Sequence, residues 1–97
     1  MPGSRKLLSP DEVHQHAAQS PRWRVLDGKK LSREYTFPDF QNGLNFVNRV
    51  GEVAERQGHH PDIQLSWGRV IIETWTHDAG GLTEQDFRLA SQIDQLS

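Results

Sequence analysis

Apolar residues recur along this chain at two spacings. In some segments they recur every three to four residues, as in a helix, and in others at every second residue, as in a strand. The tetrapeptide Ser9–Glu12 predicts the first helix, with a capping serine, a proline at the first helical position and a glutamate that closes a capping box. That helix is expected to bury Val13 and Ala17. It should end before Pro21, because proline disfavours helical geometry in the residue that precedes it.

Alternation with a period of two predicts two β-hairpins. In the first, Asp27-Gly28 suits a tight turn between two strands, whose alternating residues are Trp23, Val25, Leu31, Arg33, Tyr35 and Phe37. In the second, Gly68 separates the alternating segment Ile63–Trp67 from a β-branched run over Val70–His77, which is typical of a strand.

A long helix is predicted between the two hairpins. Asp39 begins it, and Gly58 ends it by adopting the left-handed backbone conformation. Its apolar stripe recurs at threes and fours through Phe40, Leu44, Val47, Val50 and Ala54, widened by Phe46 and Val53. A last helix starts in the segment Leu82–Phe87, where Thr83 is the cap and Asp86 its capping-box partner.

The resulting order, α-β-β-α-β-β-α, predicts an α+β fold with a four-stranded antiparallel sheet and helices packed on one of its faces. A chain of 97 residues fits one domain over residues 1–97, in which Met1–Lys6 is expected to be loose. The uncovered face of the sheet is expected to leave Ile71 and Trp75 partly exposed, which favours self-association.

Composition excludes several classes of function. Because the chain has no cysteine, it forms no disulfide, thiolate metal site or cysteine nucleophile. Eleven Lys and Arg against 13 Asp and Glu oppose direct binding to nucleic acid, which usually requires a clustered basic surplus. No apolar stretch is long enough for a membrane span or a signal peptide, so we expect a soluble, cytoplasmic protein.

The candidate chemistry lies where the long helix meets the third strand. His59 and His60 follow the helix end directly, and in a regular hairpin the end of the fourth strand returns beside them with His77. Trp75 shares a strand face with His77, because side chains alternate. Three imidazoles and the carboxylate of Glu55 suit proton transfer near neutral pH, since the unperturbed pKa of histidine is about 6.5.

Other interpretations of these residues stay open at this point. Adjacent histidines in a loop are often simply solvated. A zinc site built from His59, His60, His77 and Glu55 is a further alternative, although neighbouring histidines chelate one ion poorly and no HExxH pattern is present. Asp86 is expected to be a helix cap, and Trp67 and Trp75 are either packing residues or a platform for a flat ring.

The pattern Glu55-x-x-x-His59-His60-Pro61, followed by Trp67, His77 and Asp86, resembles the signature of the pterin-4a-carbinolamine dehydratases. This resemblance implies an enzyme that removes water from a 4a-hydroxytetrahydropterin, and thereby recycles the cofactor of aromatic amino acid hydroxylases. It also implies assembly as a homodimer or homotetramer. No metal, flavin or nicotinamide cofactor is implied.

The same resemblance assigns roles to residues. It implies that His59, His60 and His77 are catalytic, and that Glu55, Trp75 and Thr76 bind the pterin substrate. Some relatives of this family also serve as dimerisation cofactors of a homeodomain transcription factor. A protein-interaction module without catalysis is therefore the competing hypothesis.

Overall fold

A computed structural model describes residues 5–96 of the chain. The elements are, in chain order, α1 (Pro10–Ala18), β1 (Arg24–Leu26), β2 (Lys30–Thr36), α2 (Phe40–Gln57), β3 (Asp62–Ser66), β4 (Arg69–Thr74) and α3 (Glu84–Asp94). This order confirms the predicted α+β architecture. Of the N-terminal segment predicted to be loose, residues 1–4 lie outside the described residues, and Arg5 forms an ion pair of 2.6 Å with Asp78.

The four strands form one antiparallel sheet in the order β1-β2-β4-β3. The two predicted hairpins are therefore joined through β2 and β4. In β4, Val70, Ile72 and Thr74 are buried, whereas the alternating positions Ile71 and Glu73 are half-buried on the other face.

The last strand is shorter than the sequence predicts. The pairing of β4 with β2 ends at Thr74, and its pairing with β3 ends at Glu73. The residues after Thr74 therefore pair with neither strand. Thr76 instead forms an isolated bridge with Gly81. His77 consequently lies in the turn beyond the strand rather than within it.

The core lies between the sheet and its helices. Its fully buried apolar residues come from strands, helices and the segment before α3: Leu31, Val50, Val70, Ile72, Leu82, Leu89, Ala90 and Ile93. Each large aliphatic side chain among them stabilises the fold by about 1.5–3 kcal/mol. Trp23 closes one end of this core, and its indole N–H donates to Asp94 at 2.9 Å, which also pairs with Arg33.

The buried face of α2 differs from the predicted stripe. The helix buries Gly43, Phe46, Val50, Val53 and Ala54, while the side chain of Phe40 is 44% exposed. Leu44 and Val47, also predicted to face inward, are half-buried. A Cβ atom at Gly43 would lie 3.1 Å from Leu65 Cδ1, so the helix packs closely against the sheet at this glycine.

All the predicted helix starts are confirmed. Ser9 and Glu12 form a capping box, Asp39 accepts a hydrogen bond from the Asn42 amide at 2.8 Å, and Thr83 and Asp86 form a second box. Within residues 5–96, no helix combines the length and the apolar character that crossing a membrane requires.

Tyr35, the only tyrosine of the chain, is an internal probe of this core. Its ring packs on Phe46 with centroids 4.5 Å apart, and the guanidinium of Arg33 lies 4.2 Å above the ring. Burial raises the pKa of Tyr35 to about 12, although the charge of Arg33 opposes this shift.

We expect an ultraviolet titration of the folded protein to show phenolate formation near pH 12, against about 10 in denaturant. Because the folded state binds this proton more tightly, the free energy of unfolding should fall as pH rises from about 10 to 12. The same titration in urea serves as the control. A midpoint near 10 in the native protein would show that the ring is solvated.

Candidate active site

The end of α2 determines where His59 lies. Gly58 adopts a left-handed conformation with φ of 72°, and the amides of Gly58 and His59 both donate to the carbonyl of Ala54 at 2.9 and 3.2 Å. This cap stops the helix within one residue and turns the chain toward β3. As a result, the side chain of His59 points inward and is only 5% exposed.

His59 and Asp86 form a buried pair across 27 residues of sequence. The distance from His59 Nε2 to Asp86 Oδ1 is 2.6 Å, and Asp86 is completely buried at the first turn of α3. Oδ1 also accepts the hydroxyl of Thr74 at 2.7 Å, and Oδ2 accepts the hydroxyl of Thr76 at 2.8 Å and the amide of Thr83 at 3.0 Å. Both carboxylate oxygens are therefore saturated by donors.

This arrangement determines which ring nitrogen of His59 carries the proton that faces Asp86. Because Asp86 accepts all four hydrogen bonds, His59 donates to it through Nε2 and is held in one ring orientation. Among the described residues, Nδ1 of His59 has no hydrogen-bond partner. That nitrogen is the one available to exchange a proton with another molecule.

A chain of hydroxyl groups supports Asp86 from behind. The amide of Gln85 donates to Thr83 Oγ1 at 3.2 Å, and the hydroxyls of Thr83 and Thr76 lie 2.8 Å apart. Since the single hydroxyl proton of Thr76 is used for Asp86, Thr83 must donate to Thr76.

Thr76, which the family resemblance implies to bind the substrate, belongs to this buried network. Its side chain is fully buried, and its amide and carbonyl are bonded within the loop that ends at Gly81. The hydroxyl of Thr76 donates to Asp86, so the side chain helps to position that carboxylate.

His60, unlike His59, is exposed. Its imidazole is exposed, and Nε2 pairs with a carboxylate oxygen of Glu55, which is also exposed. Pro61 follows directly and leads the chain into β3. Glu55 and His60 therefore form a hydrogen-bonded pair on the surface.

Exposed His77 and half-buried Trp75 form a second group. Their rings are in edge contact with centroids 4.4 Å apart, and Lys30 Nζ lies 4.3 Å from the centroid of Trp75. The turn that bears His77 is closed by the Gly80 amide, which donates to the carbonyls of Thr76 and His77 at 3.0 and 3.2 Å. Trp75 thus packs against His77 rather than into the core.

The three predicted imidazoles do not contact one another. Within residues 5–96, His59 contacts Asp86, His60 contacts Glu55 and His77 contacts Trp75. The link between His59 and the His77 turn is Thr76, which precedes His77 and binds Asp86. No three side chains of His, Cys, Asp or Glu in this part of the chain are grouped so as to share a metal ion.

Comparison with known proteins adds a decisive observation. A family model described as pterin 4 alpha carbinolamine dehydratase matches residues 6–96. The chain belongs to this family.

Relatives within the dehydratase family align over most of their length. One from Rubrobacter xylanophilus, which bears the name pterin-4-alpha-carbinolamine dehydratase, is 48% identical over 89 residues, covering 92% of this chain and 83% of the relative. Another relative of that name, from a Cyanothece species, is 47% identical over 92 residues. The alignment covers 95% of this chain and 94% of the relative.

Solved structures confirm the fold. A protein from Brucella melitensis described as a transcriptional coactivator/pterin dehydratase superposes with a TM-score of 0.85 at 27% identity, covering 92% of this chain and 96% of its own. A pterin dehydratase-like protein described as a RuBisCO assembly factor of the alpha-carboxysome reaches a TM-score of 0.64 at 22% identity, covering 76% of this chain and 87% of its own. The second similarity concerns the fold alone.

Sequence reasoning missed the place of Asp86 in the site. It correctly predicted the helix cap, but the cap explained the residue locally and gave no reason to look further. The available signal was the alternation along the predicted strand Val70–His77, which put Thr74 and Thr76 on the same face as Val70 and Ile72. Buried hydroxyls need partners, and a nearby carboxylate is the obvious acceptor.

Proposed function

We propose that this protein dehydrates a 4a-hydroxytetrahydropterin to the quinonoid dihydropterin by histidine acid–base catalysis, without a metal or an organic cofactor. The observation that supports this most directly is the buried His59–Asp86 pair, which leaves one imidazole nitrogen for proton exchange. Membership of the dehydratase family supports a pterin as the substrate.

The proposed reaction balances without any transfer of electrons to a cofactor. The bond between the 4a carbon and its hydroxyl oxygen breaks, and an acid delivers a proton to the oxygen so that water leaves. A base removes the proton of the adjacent ring nitrogen, whose electron pair forms the new double bond. Both proton transfers are tasks that imidazole performs near neutral pH.

His59 is the proposed base. Its Nδ1 accepts the ring-nitrogen proton, and Asp86 stabilises the imidazolium that results, as a buried carboxylate does behind a histidine in hydrolases. His77, exposed in its turn, is the proposed acid for the departing hydroxyl. The couple of His60 and Glu55 is proposed to contact the polar edge of the pterin.

Trp75 is the proposed surface for the bicyclic ring. It is half-buried and already in edge contact with His77, so a flat substrate on the indole would lie beside the proposed acid. The proposal also includes a cytoplasmic location and assembly as a homodimer or homotetramer. It further includes recycling of the cofactor that an aromatic amino acid hydroxylase uses. The assembly and the link to a hydroxylase follow from the family resemblance, and the location is the expectation drawn from the sequence.

The test is a dehydration assay on the purified full chain. We expect the protein to accelerate loss of water from a 4a-hydroxytetrahydropterin by about 10²–10⁴-fold over the spontaneous rate. The rate should be the same before and after exhaustive chelation. A rate that falls with chelation and returns with zinc would support the metal alternative, and a folded protein that gives no acceleration would overturn the proposal.

A protein-interaction role is the second candidate function. Phe40 and Trp67 are large apolar side chains with exposed fractions of 44% and 68%, and exposed aromatic residues are frequent anchors of protein interfaces. The net charge of −2 favours a protein partner over nucleic acid. A folded chain that binds a partner but fails the dehydration assay would favour this candidate.

A further inference from the structure

The turn that carries His77 is closed by its own backbone hydrogen bonds. The amide of Thr76 donates to the carbonyl of Gly81 at 2.9 Å, and the amide of Gly80 donates to the carbonyls of Thr76 and His77 at 3.0 and 3.2 Å. These bonds set the shape of the turn. How its exposed residues, His77 and Asp78, lie against the domain depends on contacts from outside the turn.

The far side of this turn is backed by a cavity. The cavity has a volume of about 370 Å³ and lies between Gly80 and Gly81, the hairpin turn at Asp27-Gly28, and the N-terminal residues Leu7 and Leu8. A void removes packing contacts that would otherwise hold a loop in place. The position of the turn therefore depends strongly on the few contacts that it makes elsewhere.

The segment Arg5–Leu8, which we call the N-terminal strap, supplies such contacts. The amide of Leu8 donates to the carbonyl of Leu82, directly after the turn, at 2.9 Å. A Cβ atom at Gly81 would lie only 2.9 Å from Leu7 Cδ1, so the strap packs directly on that glycine. The strap thus follows the turn backwards from Leu82, and its first described residue reaches the neighbour of His77.

Arg5 binds Asp78, the residue that follows His77, through two hydrogen bonds. Nη2 donates to Oδ1 at 2.6 Å, and Nε donates to Oδ2 at 3.4 Å. A contact at two points restricts the orientation of a carboxylate more than a single ion pair does. Because the side chains of Arg5 and Asp78 are 51% and 67% exposed, the pair adds little to the stability of the whole domain. Its effect is expected to be local to the turn.

This exposed pair lies near the buried pair of His59 and Asp86. The hydrogen bond from Arg5 lowers the pKa of Asp78, and the charge of His59 acts in the same direction. The hydrogen bond to Asp78 raises the pKa of Arg5, and the charge of Asp86 adds to that effect. Such interactions between charges are largely screened beyond about 10 Å at moderate ionic strength. The strap therefore reaches the neighbourhood of the proposed base as well as the turn of the proposed acid.

We propose that Arg5 is a positioning residue for the reaction, and that the N-terminal strap holds the turn through Asp78 so that the imidazole of His77 faces the bound substrate. In the proposed function, on which this inference rests, His77 protonates the departing hydroxyl. Its ring must then stay within hydrogen-bond distance of that oxygen, about 2.6–3.2 Å. A turn that moves freely would keep the ring there for only part of the time, and kcat would fall accordingly.

The kinetic test compares Arg5→Gln, Asp78→Asn and the double variant of the full chain in the dehydration assay. Each single variant should lower kcat about two- to fivefold with little change in KM, and the double variant should be no slower than the slower single one. The direction is diagnostic, because one variant removes a positive charge and the other a negative one. An effect of the two charges through space would change kcat in opposite directions.

The matched control is Arg22→Gln, which removes an exposed arginine before β1 and changes the net charge as Arg5→Gln does. It should keep the parental kcat. All of these variants should melt close to the parental temperature, since the residues that they alter are exposed.

Amide hydrogen exchange tests the strap without a substrate. In Arg5→Gln, the amides of Gly80 and Gly81 should exchange about two- to fivefold faster, whereas those of the buried β4 residues Val70 and Ile72 should keep the parental rates. Unchanged exchange in the turn, an unchanged kcat in both single variants, or opposite changes in their kcat would each overturn the inference. A parent protein without dehydratase activity would overturn the proposed function, and the exchange rates would still show whether the strap holds the turn.

Discussion

Replacing Asp86 with asparagine is expected to lower the free energy of unfolding by about 3 kcal/mol and to abolish most dehydratase activity. The carboxylate accepts four hydrogen bonds in complete burial, from His59, Thr74, Thr76 and the amide of Thr83. An asparagine side chain accepts at one oxygen only. Its NH₂ group would face donors at the other position, so about two buried hydrogen bonds are lost.

The measurement is a urea denaturation curve together with a thermal melt. A loss of about 3 kcal/mol corresponds to a lower melting temperature by roughly 15 °C for a domain of this size. Glu84→Gln is the matched control, since Glu84 is an exposed acid in the first turn of the same helix and its loss should cost at most about 1 kcal/mol. If the two variants proved equally stable, the hydrogen bonds of Asp86 would not contribute to the free energy of unfolding.

Replacing His59 with glutamine is expected to separate chemistry from folding. A glutamine amide can donate a hydrogen bond toward Asp86, as the imidazole does, but it cannot exchange protons near neutral pH. We therefore expect kcat to fall by about 10²–10⁴-fold while KM and the melting temperature change much less.

The control for this variant is His14→Gln, which alters an exposed histidine of α1 far along the chain from the site. It should retain the parental rate. Combining His59→Gln with Asp86→Asn should lower activity by less than the product of the two single effects, because the two residues act as one unit. A folded His59→Gln protein that dehydrates at the parental rate would refute the assignment of His59 as base.

The parts of the fold that the sequence predicted well depend on local chemistry. Capping boxes at Ser9 and Thr83 and the glycine cap at position 58 involve residues within a few positions of each other. The Asp27-Gly28 turn is equally local, since both residues adopt positive φ angles of 54° and 68°. Such features are specified by neighbouring residues, so composition and spacing reveal them.

The parts that the sequence did not predict depend on distant contacts. The buried face of α2 is set by the close approach of Gly43 to Leu65, and a glycine adds nothing to an apolar stripe. The end of β4 is set by where its neighbours β2 and β3 stop pairing. The contact between His59 and Asp86 joins a helix end to a helix start that are adjacent only in the folded chain.

Asp86 has a structural duty and a proposed catalytic one, and this affects how related sequences should be interpreted. It closes the capping box that begins α3, and this duty would persist in a descendant that no longer performs any reaction. Purifying selection for foldability alone would then retain the aspartate. The exposed His60 and His77 have no such structural obligation, so their loss is the better marker of a homologue that has become a scaffold.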